Sequence, residues 1–385
     1  MARALLIVLD SLGTGEAPDA EKYNDTGSDT LGHIIEKFAE RGTPIKLPNL
    51  IRWGLGNITS GIERTQDPLA YYGKMQPLSA GKDTTTGHWE MMGMILDEPF
   101  ATFPQGFPQE IISRLEKATG YSFLGNKTAS GTEIIKELGK LHLETGKLIL
   151  YTSADSVIQI AAHEEKVPLE ELYRICEACR KVGDEYNIGR VIARPFTGEE
   201  GNFSRTSNRH DYSYDPPPES ILTSIQKASL PVWGVGKIRD IFNGKGISES
   251  FPTKGNTHGI STMIELWNKM ENGLLFVNLV DFDMLYGHRN NWDGYGKALE
   301  EFDMCLLELE NISHTGDLII ITADHGNDPT YPGTDHNREY VPVIAYRKGE
   351  KGKPLGTRMT FADAGATCAS HLGVSWTKAG VPFFE

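Results

Sequence analysis

The chain has 385 residues, of which 39% are hydrophobic and 23% charged, and its formal net charge is −14. This composition is typical of a globular protein long enough for more than one domain, and no apolar stretch approaches the roughly 20 residues that span a bilayer. The negative charge argues against nucleic acid as a partner, because nucleic-acid binding depends on lysine and arginine side chains that neutralise phosphates. An acidic chain can still bind an anionic small molecule if metal ions or local arginines invert the field at the site.

The predicted elements begin with an apolar strand, residues 4–9, that ends at Asp10. A helix is predicted over residues 28–37, where Ser-Asp-Thr provides a cap and apolar residues recur at helical spacing. The Pro- and Gly-rich segment 99–108 then interrupts the pattern and is a plausible hinge.

A second Pro-rich break at residues 214–218 closes a middle block with its own elements. Within this block the pattern predicts helices over 109–118, 133–141 and 169–182, and strands over 147–152 and 190–193. After the break, strands are expected over 230–234, 274–281, 317–322 and 341–346, with a helix over 295–310. We therefore predict an α/β protein whose doubly wound core comprises residues 1–97 and 217–385, with a smaller α/β domain, residues 98–216, inserted between them.

Three of the predicted core strands are followed by residue types that bind metals. Continuous apolar runs are typical of strands buried in a parallel sheet, and ligands bind outside the carboxyl ends of such strands. Carboxylates and imidazoles without a thiolate suit Mn or Zn. The candidate ligands are Asp10 after the first strand, Asp283 and His288 after the second, and Asp324, His325 and His336 after the third.

Each candidate ligand taken alone has a simpler interpretation. A lone Asp after a strand commonly caps a helix or forms a turn. His288 alone is also compatible with a surface loop. The adjacent pair Asp324-His325 is a stronger pattern, and the recurrence of all three groups in one structural context favours a two-metal site.

The segment Gly81–Glu90 is the candidate for the residue that receives or attacks a transferring group, since it carries three successive threonines between glycines. A threonine hydroxyl is a weak nucleophile unless a base or a metal lowers its pKa. Two divalent ions about 3.5–4 Å apart lower the pKa of the hydroxyl when it contacts them. The alternative is an ST-turn that caps a helix starting near Gly87.

Several segments together resemble the phosphopentomutase family of the alkaline phosphatase superfamily. The Thr-Ala-Asp-His-Gly-Asn sequence alone indicates only the superfamily, whereas the threonine segment and the middle block separate the chain from cofactor-independent phosphoglycerate mutases, which use a serine. The similarity covers essentially the whole chain. The segments that carry it are Asp10–Ala20, Gly81–Glu90, Val280–Arg289, Thr322–Pro329 and Pro332–Tyr340.

The resemblance implies an isomerase that interconverts ribose 1-phosphate and ribose 5-phosphate, and their 2-deoxyribose forms. The implied cycle uses a phospho-threonine at Thr84, loaded first by a sugar bisphosphate activator, and a sugar bisphosphate intermediate. It also implies two Mn²⁺ ions in the core domain. By motif match, Asp10, Asp324 and His325 would hold one ion, and Asp283, His288 and His336 would hold the other.

The substrate contacts that we expect lie mainly in the middle block. Asp155 matches a family position that contacts sugar hydroxyls, and Lys237 is a further candidate in the core. Arg190 and Arg205 lie in segments that are locally basic, and planar guanidinium groups suit the distal phosphate of a sugar bisphosphate. We expect pentose phosphates as partners, without nucleic acid or membrane, and a monomer.

The four cysteines and the N-terminus bear on the cellular compartment. Cys176 and Cys179 form a C-x-x-C pattern in the middle of a predicted helix, whereas a redox pair should open a helix and a zinc site needs two further ligands. We therefore expect packing thiols in a reducing cytosol. The chain enters a strand without the features of a signal peptide, so a cytoplasmic enzyme is expected.

Two other classes of function stay open. A phosphatase or phosphodiesterase with two metals would share every ligand and would differ only in admitting water, which a mutase must exclude. The middle block would exclude water as a lid hinged at the two Pro-rich breaks. A non-catalytic, metal-dependent binding protein is the other alternative. A sulfatase is disfavoured, because no Cys or Ser is followed by x-Pro-x-Arg.

Overall fold

The computed structural model describes residues 2–153 and 155–384. The chain forms two compact units, the first comprising Met1–Pro99 and Pro216–Glu385 and the second comprising Phe100–Asp215. The domain predicted over 98–216 differs from the second unit by two residues at its start and one at its end. Its role as a lid stays a prediction.

The strands alternate with helices along most of the chain. In chain order the strands are β1 (Arg3–Leu9), β2 (Tyr71–Met75), β3 (Phe123–Thr128), β4 (Leu148–Thr152), β5 (Val157–His163), β6 (Arg190–Thr197), β7 (Ser204–Arg205), β8 (His210–Ser213), β9 (Val232–Val235), β10 (Glu249–Phe251), β11 (Gly273–Leu279), β12 (Leu318–Thr322), β13 (Val341–Arg347) and β14 (Pro354–Arg358).

The helices are short to medium in length, and among the described residues none is long and apolar enough to cross a membrane. In chain order they are α1 (Thr30–Glu40), α2 (Pro48–Trp53), α3 (Thr84–Met91), α4 (Gln109–Thr119), α5 (Gly131–Thr145), α6 (Leu169–Glu185), α7 (Ile221–Lys227), α8 (Ile238–Ile241), α9 (Asn256–Lys269), α10 (Trp292–Ile312) and α11 (Ala362–His371).

The first unit is built on one sheet with the order β10-β9-β11-β1-β12-β13-β2-β14. The central strand β1 pairs in parallel with β11 on one side and with β12 on the other, and β9 pairs in parallel with β11. Every residue of β1, β11 and β12 is buried, which explains their continuous apolar sequences. The carboxyl ends of four neighbouring strands therefore lie along one edge of the sheet.

The other half of this sheet departs from the parallel pattern. Strand β13 runs antiparallel to both β12 and β2, and β14 returns parallel to β2. The core is thus a mixed sheet that is parallel where the predicted ligands follow the strands.

The second unit has a sheet with the order β3-β4-β5-β6-β7, and β8 pairs with β6. Helices α4 and α6 contribute Leu115, Cys176 and Cys179 to one hydrophobic cluster of this unit, and α5 contributes Ile134 to another. All four cysteines of the chain are buried free thiols. Burial raises the pKa of Cys179 to about 12, so this C-x-x-C is part of the packing.

Candidate active site

The three acidic candidate ligands lie at the carboxyl ends of adjacent parallel strands. Asp10 directly follows β1, Asp324 follows β12 by two residues, and Asp283 lies in the π-helical turn Phe282–Tyr286 after β11. Their exposures are 0%, 2% and 5% respectively. Carboxylates buried to this degree need compensating partners, because taking a charge out of water is costly.

The first ligand cluster consists of Asp10, Asp324 and His325, whose ligand atoms lie within 4.8 Å of one another. His325 Nε2 is 3.6 Å from Asp10 Oδ1 and 3.4 Å from Asp324 Oδ2. Those two carboxylate oxygens are buried and have no hydrogen-bond partner among the residues that the structure describes. Two unsatisfied anionic oxygens that share an imidazole fit a divalent cation, which would neutralise both.

The second ligand cluster consists of Asp283, His325 and His336, which also lie within 4.8 Å of one another. His288 joins this cluster, since its Nε2 is 3.1 Å from Asp283 Oδ2 and 3.1 Å from His336 Nε2. All six predicted ligands are therefore brought together. The grouping differs from the prediction in one respect, because His325 lies within reach of both clusters.

The ligands are oriented by donors and acceptors outside the two clusters. Asn278 Nδ2 donates to Asp10 Oδ2 at 2.9 Å, and Asn327 Nδ2 donates to Asp283 Oδ1 at 2.8 Å. The backbone N–H of Ser11 donates to Asp324 Oδ1 at 3.0 Å. Each carboxylate thus has one oxygen fixed by a neutral donor, which orients the group for a metal.

Backbone carbonyls fix the tautomers of two of the histidines. His288 Nδ1 is 2.6 Å from the Thr334 carbonyl oxygen, and His325 Nδ1 is 3.0 Å from that of Gly326. Because a carbonyl oxygen only accepts, each Nδ1 carries a proton, and the Nε2 atom of each ring is the one that faces the cluster.

The electrostatics of the clusters reflect three carboxylates in a small volume. Burial, together with the charges of Asp324 and Asp283, raises the pKa of Asp10 well above its ordinary value. Burial also opposes ionisation of Asp324, but His325 and His88 outweigh it and lower its pKa to about 2. Asp283 behaves similarly, because its histidine neighbours outweigh burial and hold its pKa well below the ordinary value. Divalent cations would relieve this mutual repulsion.

Thr84 is the first residue of α3, and its hydroxyl points toward the ligands. Thr84 Oγ1 is 3.2 Å from His325 Nε2, and His325 is the residue common to both clusters. The unpaired N–H groups in the first turn of a helix favour an anion at this position. The hydroxyl therefore lies where a phosphoryl group would meet both metal sites and the helix N-terminus.

The local structure around Thr84 corrects one expectation. Helix α3 begins at Thr84, three residues before the start near Gly87 that an ST-turn would give, because Asp83 is its N-cap. Asp83 accepts from the backbone N–H and the hydroxyl of Thr86, at 3.1 and 2.6 Å. Gly87 is required for close packing, since a Cβ there would lie 2.1 Å from the Asp324 carbonyl oxygen.

The four predicted substrate contacts fall in both units. Lys237 follows β9 in the first unit, and its charge acts on Asp10. In the second unit, Arg190 forms an ion pair with Asp155 at 3.0 Å. Arg205 lies on β7, is exposed, and is one of three arginines whose charges act on the Tyr151 hydroxyl.

Sequence reasoning missed the residues that surround the ligands, above all His88, Asn278 and Asn327. A signal was present for Asn278, because it is the one polar residue within the apolar run 274–280. His88 and Asn327 lie inside the segments that carry the resemblance, but nothing in their spacing indicates which ligand each one contacts.

The chain belongs to the metalloenzyme superfamily, whose family model matches residues 2–376. Membership agrees with the two ligand clusters, and the protein is a metal-dependent enzyme. The predicted α/β fold class is confirmed by the two sheets and the helices between their strands.

Solved structures that match this chain come from several organisms. The protein PH0037 of Pyrococcus horikoshii is 15% identical with a TM-score of 0.50, over 98% of this chain and 99% of that one. A phosphoglycerate mutase of Leishmania mexicana is 11% identical with a TM-score of 0.46, over 98% and 96% of the two chains. A Vibrio parahaemolyticus protein of the alkaline phosphatase superfamily is 10% identical with a TM-score of 0.45, over 97% and 66%. At 15% identity the match to PH0037 shows a similarity of fold alone.

Proposed function

We propose that the protein is a phosphopentomutase that interconverts ribose 1-phosphate and ribose 5-phosphate, and the corresponding 2-deoxyribose phosphates. The observation that carries the proposal is the position of Thr84 Oγ1, 3.2 Å from Nε2 of His325, the residue common to both ligand clusters. A nucleophilic hydroxyl at the junction of two metal sites suits phosphoryl transfer through a covalent enzyme intermediate.

In this proposal the six ligands hold two Mn²⁺ ions. Three imidazoles among the ligands favour an ion softer than Mg²⁺. The ions would supply positive charge that stabilises the transferring phosphoryl group. Because the ligand carboxylates are already fixed by Asn278, Asn327 and the Ser11 backbone, little reorganisation accompanies ion binding.

Thr84 carries the phosphoryl group between the two halves of the reaction. In the first half, the bond from phosphorus to Thr84 Oγ1 breaks, a bond to the free hydroxyl of the sugar phosphate forms, and the sugar hydroxyl proton is released. The bisphosphate then reorients, and its other phosphoryl returns to Thr84. A sugar bisphosphate is required to load the threonine at the outset.

The proposed substrate contacts are Asp155 for sugar hydroxyls and Arg190, Arg205 and Lys237 for phosphate oxygens. Arginine at two of these positions suits the bidentate recognition of phosphate. Arg190 already pairs with a carboxylate, Asp155, at 3.0 Å, so its guanidinium is extended toward an anionic group. We further propose that the second unit acts as a lid that keeps water from the phosphothreonine, and that the protein works as a cytoplasmic monomer.

The experiment that tests this function supplies ribose 1-phosphate, Mn²⁺ and a trace of sugar bisphosphate, and measures ribose 5-phosphate and inorganic phosphate together. We expect ribose 5-phosphate to account for nearly all the substrate consumed. Release of inorganic phosphate in step with substrate loss would identify a phosphatase instead. Binding of the substrate without either product would identify a binding protein.

A further inference from the structure

His88 is a buried histidine that belongs to neither ligand cluster and is not a proposed substrate contact. It lies on α3 one turn after Thr84, has 0% exposure, and packs near the ring of Phe276 with the centroids 5.8 Å apart. A buried imidazole is costly unless both of its nitrogens have partners. The partners of these two nitrogens therefore define what the residue does.

The Nδ1 atom of His88 faces two oxygen atoms. It is 2.9 Å from the backbone carbonyl oxygen of Thr84 and 3.2 Å from Asp324 Oδ2. Because a carbonyl oxygen only accepts, Nδ1 must carry the proton. A single N–H group thus contacts both the backbone of the proposed phosphoryl carrier and a carboxylate of the first ligand cluster.

The Nε2 atom of His88 faces the side chain of Asn278, with Nε2 and Nδ2 3.4 Å apart. Asn278 Nδ2 also donates to Asp10 Oδ2 at 2.9 Å, and this carboxylate oxygen uses one of the two amide protons. The other proton is directed to Nε2, which accepts it only if Nε2 is unprotonated. The hydrogen bonds therefore run in one direction, from Asn278 through His88 to the Thr84 carbonyl, and Asp324 Oδ2 lies 3.2 Å from the same Nδ1.

We propose that His88 is a positioning residue that fixes the Thr84 backbone against Asp324 through its Nδ1 proton. The network joins both carboxylates of the first cluster, Asp10 and Asp324, to the start of α3. It would hold the Thr84 hydroxyl at a fixed position relative to a metal ion in the first cluster. The role of His88 toward Thr84 rests on the proposed function. The expected effect of His88 on metal binding is independent of that function.

Two substitutions of similar polarity separate the two nitrogens of the ring. In His88→Asn the amide nitrogen can occupy the position of Nδ1, and in His88→Gln it occupies the position of Nε2. We expect His88→Gln to weaken Mn²⁺ binding at one of the two sites by about 10- to 100-fold, the range for groups that orient a metal ligand. His88→Asn should stay within about threefold of the wild type, since it retains the donor.

Two measurements compare the variants. The electron paramagnetic resonance signal of free Mn²⁺ gives the Mn²⁺ affinity. The intact mass after treatment with a sugar bisphosphate gives the phosphate content of Thr84. Equal losses in the Asn and Gln variants would overturn the proposal, because a space-filling role does not distinguish the two nitrogens. If the wild type bound Mn²⁺ but never carried phosphate, the proposed function would fail, and the metal affinities would still test His88.

A measurement on the wild-type protein avoids any dependence on whether the variants fold. Nitrogen NMR of protein labelled with ¹⁵N-histidine reports which ring nitrogen carries a proton, and the His88→Asn spectrum identifies the resonance. Where that variant does not fold, the neighbouring substitution Asn278→Ala identifies it by its shift. We expect the proton at Nδ1, which faces the Thr84 carbonyl oxygen. A ring protonated at Nε2 would contradict the direction of the network and with it the proposal.

Discussion

The charged side chains of the candidate site differ in exposure between the two units of the chain. In the first unit, Asp10, Asp324 and His325 are at most 3% exposed, and neighbouring donors fix the carboxylates. In the second unit, the arginines lie on a sheet surface where Arg190 pairs with Asp155 and Arg209 pairs with Asp211, with all four side chains at least 30% exposed. Exposed ion pairs contribute little to stability and exchange readily for other partners.

Under the proposed function, this difference assigns a separate task to each unit. A buried, fully oriented set of ligands has one arrangement and suits a catalytic centre that must not reorganise during the reaction. Arginines in exposed ion pairs can release a carboxylate and bind a phosphate instead. We therefore expect changes in the first unit to abolish the chemistry and changes in the second unit to redirect its products.

The largest effect is expected from Thr84→Ala. This change should lower turnover by at least about a thousandfold, because it removes the atom that carries the phosphoryl group. The fold and the Mn²⁺ content should be unchanged. Turnover of ribose 1-phosphate measures the loss of activity, and circular dichroism together with metal analysis measures the fold and the Mn²⁺ content.

The matched control for this variant is Thr85→Ala, which removes the adjacent hydroxyl of the same helical turn. It should stay within about tenfold of the wild type and still gain one phosphate. Near-normal turnover by Thr84→Ala, or phosphate on Thr85 in the wild type, would refute the assignment of the carrier.

A smaller effect is expected from Arg205→Ala in the second unit. Loss of one contact to a charged group should slow ribose 5-phosphate formation by about 10- to 100-fold. The fraction of substrate released as inorganic phosphate should rise, since the bisphosphate would be held less well. The measurement is the ratio of the two products at equal substrate consumption.

Arg174→Ala is the control, because Arg174 is also an exposed arginine of the second unit and pairs only locally with Glu171 at 2.6 Å. This variant should keep the wild-type product ratio. The same ratio in Arg205→Ala would mean that Arg205 takes no part in retaining the intermediate.

The smallest effect is expected from the double substitution of Cys176 and Cys179 by alanine, which should leave Mn²⁺ content and turnover within about twofold of the wild type. Burial raises the pKa of Cys179, and likewise of Cys368, to about 12. At pH 8 the reactive thiolate is therefore scarce, and a disulfide reagent should label no cysteine of the native protein but all four after denaturation. Rapid labelling of the native C-x-x-C would indicate a redox or metal role.

The parts of the fold that the sequence predicted well are those in which local pattern and burial agree. Strands β1, β11 and β12 are buried on both faces, so each is a continuous apolar run, and each was predicted to within two residues. The antiparallel direction of β13 was not predictable, because its apolar run is the same in either direction. The start of α3 was misplaced because the cap depends on the contact between Asp83 and Thr86.

The candidate site likewise has parts that local sequence predicts and parts that it does not. The grouping of the six candidate ligands was predictable, because each follows a recognisable strand or lies in a short loop after one. The sharing of His325 by two clusters and the network through His88 were not, because they depend on side chains that are distant in sequence. Asn278 and Asp10, for example, are separated by 268 positions along the chain.

The claim on which the whole account depends is that the first unit holds two metal ions beside Thr84. Anomalous diffraction from crystals grown with Mn²⁺ tests it most directly. We predict two peaks, one bounded by Asp10, Asp324 and His325 and the other by Asp283, His288 and His336, both in the vicinity of Thr84 Oγ1. A single peak, or none at these residues in protein that binds Mn²⁺ in solution, would contradict the account.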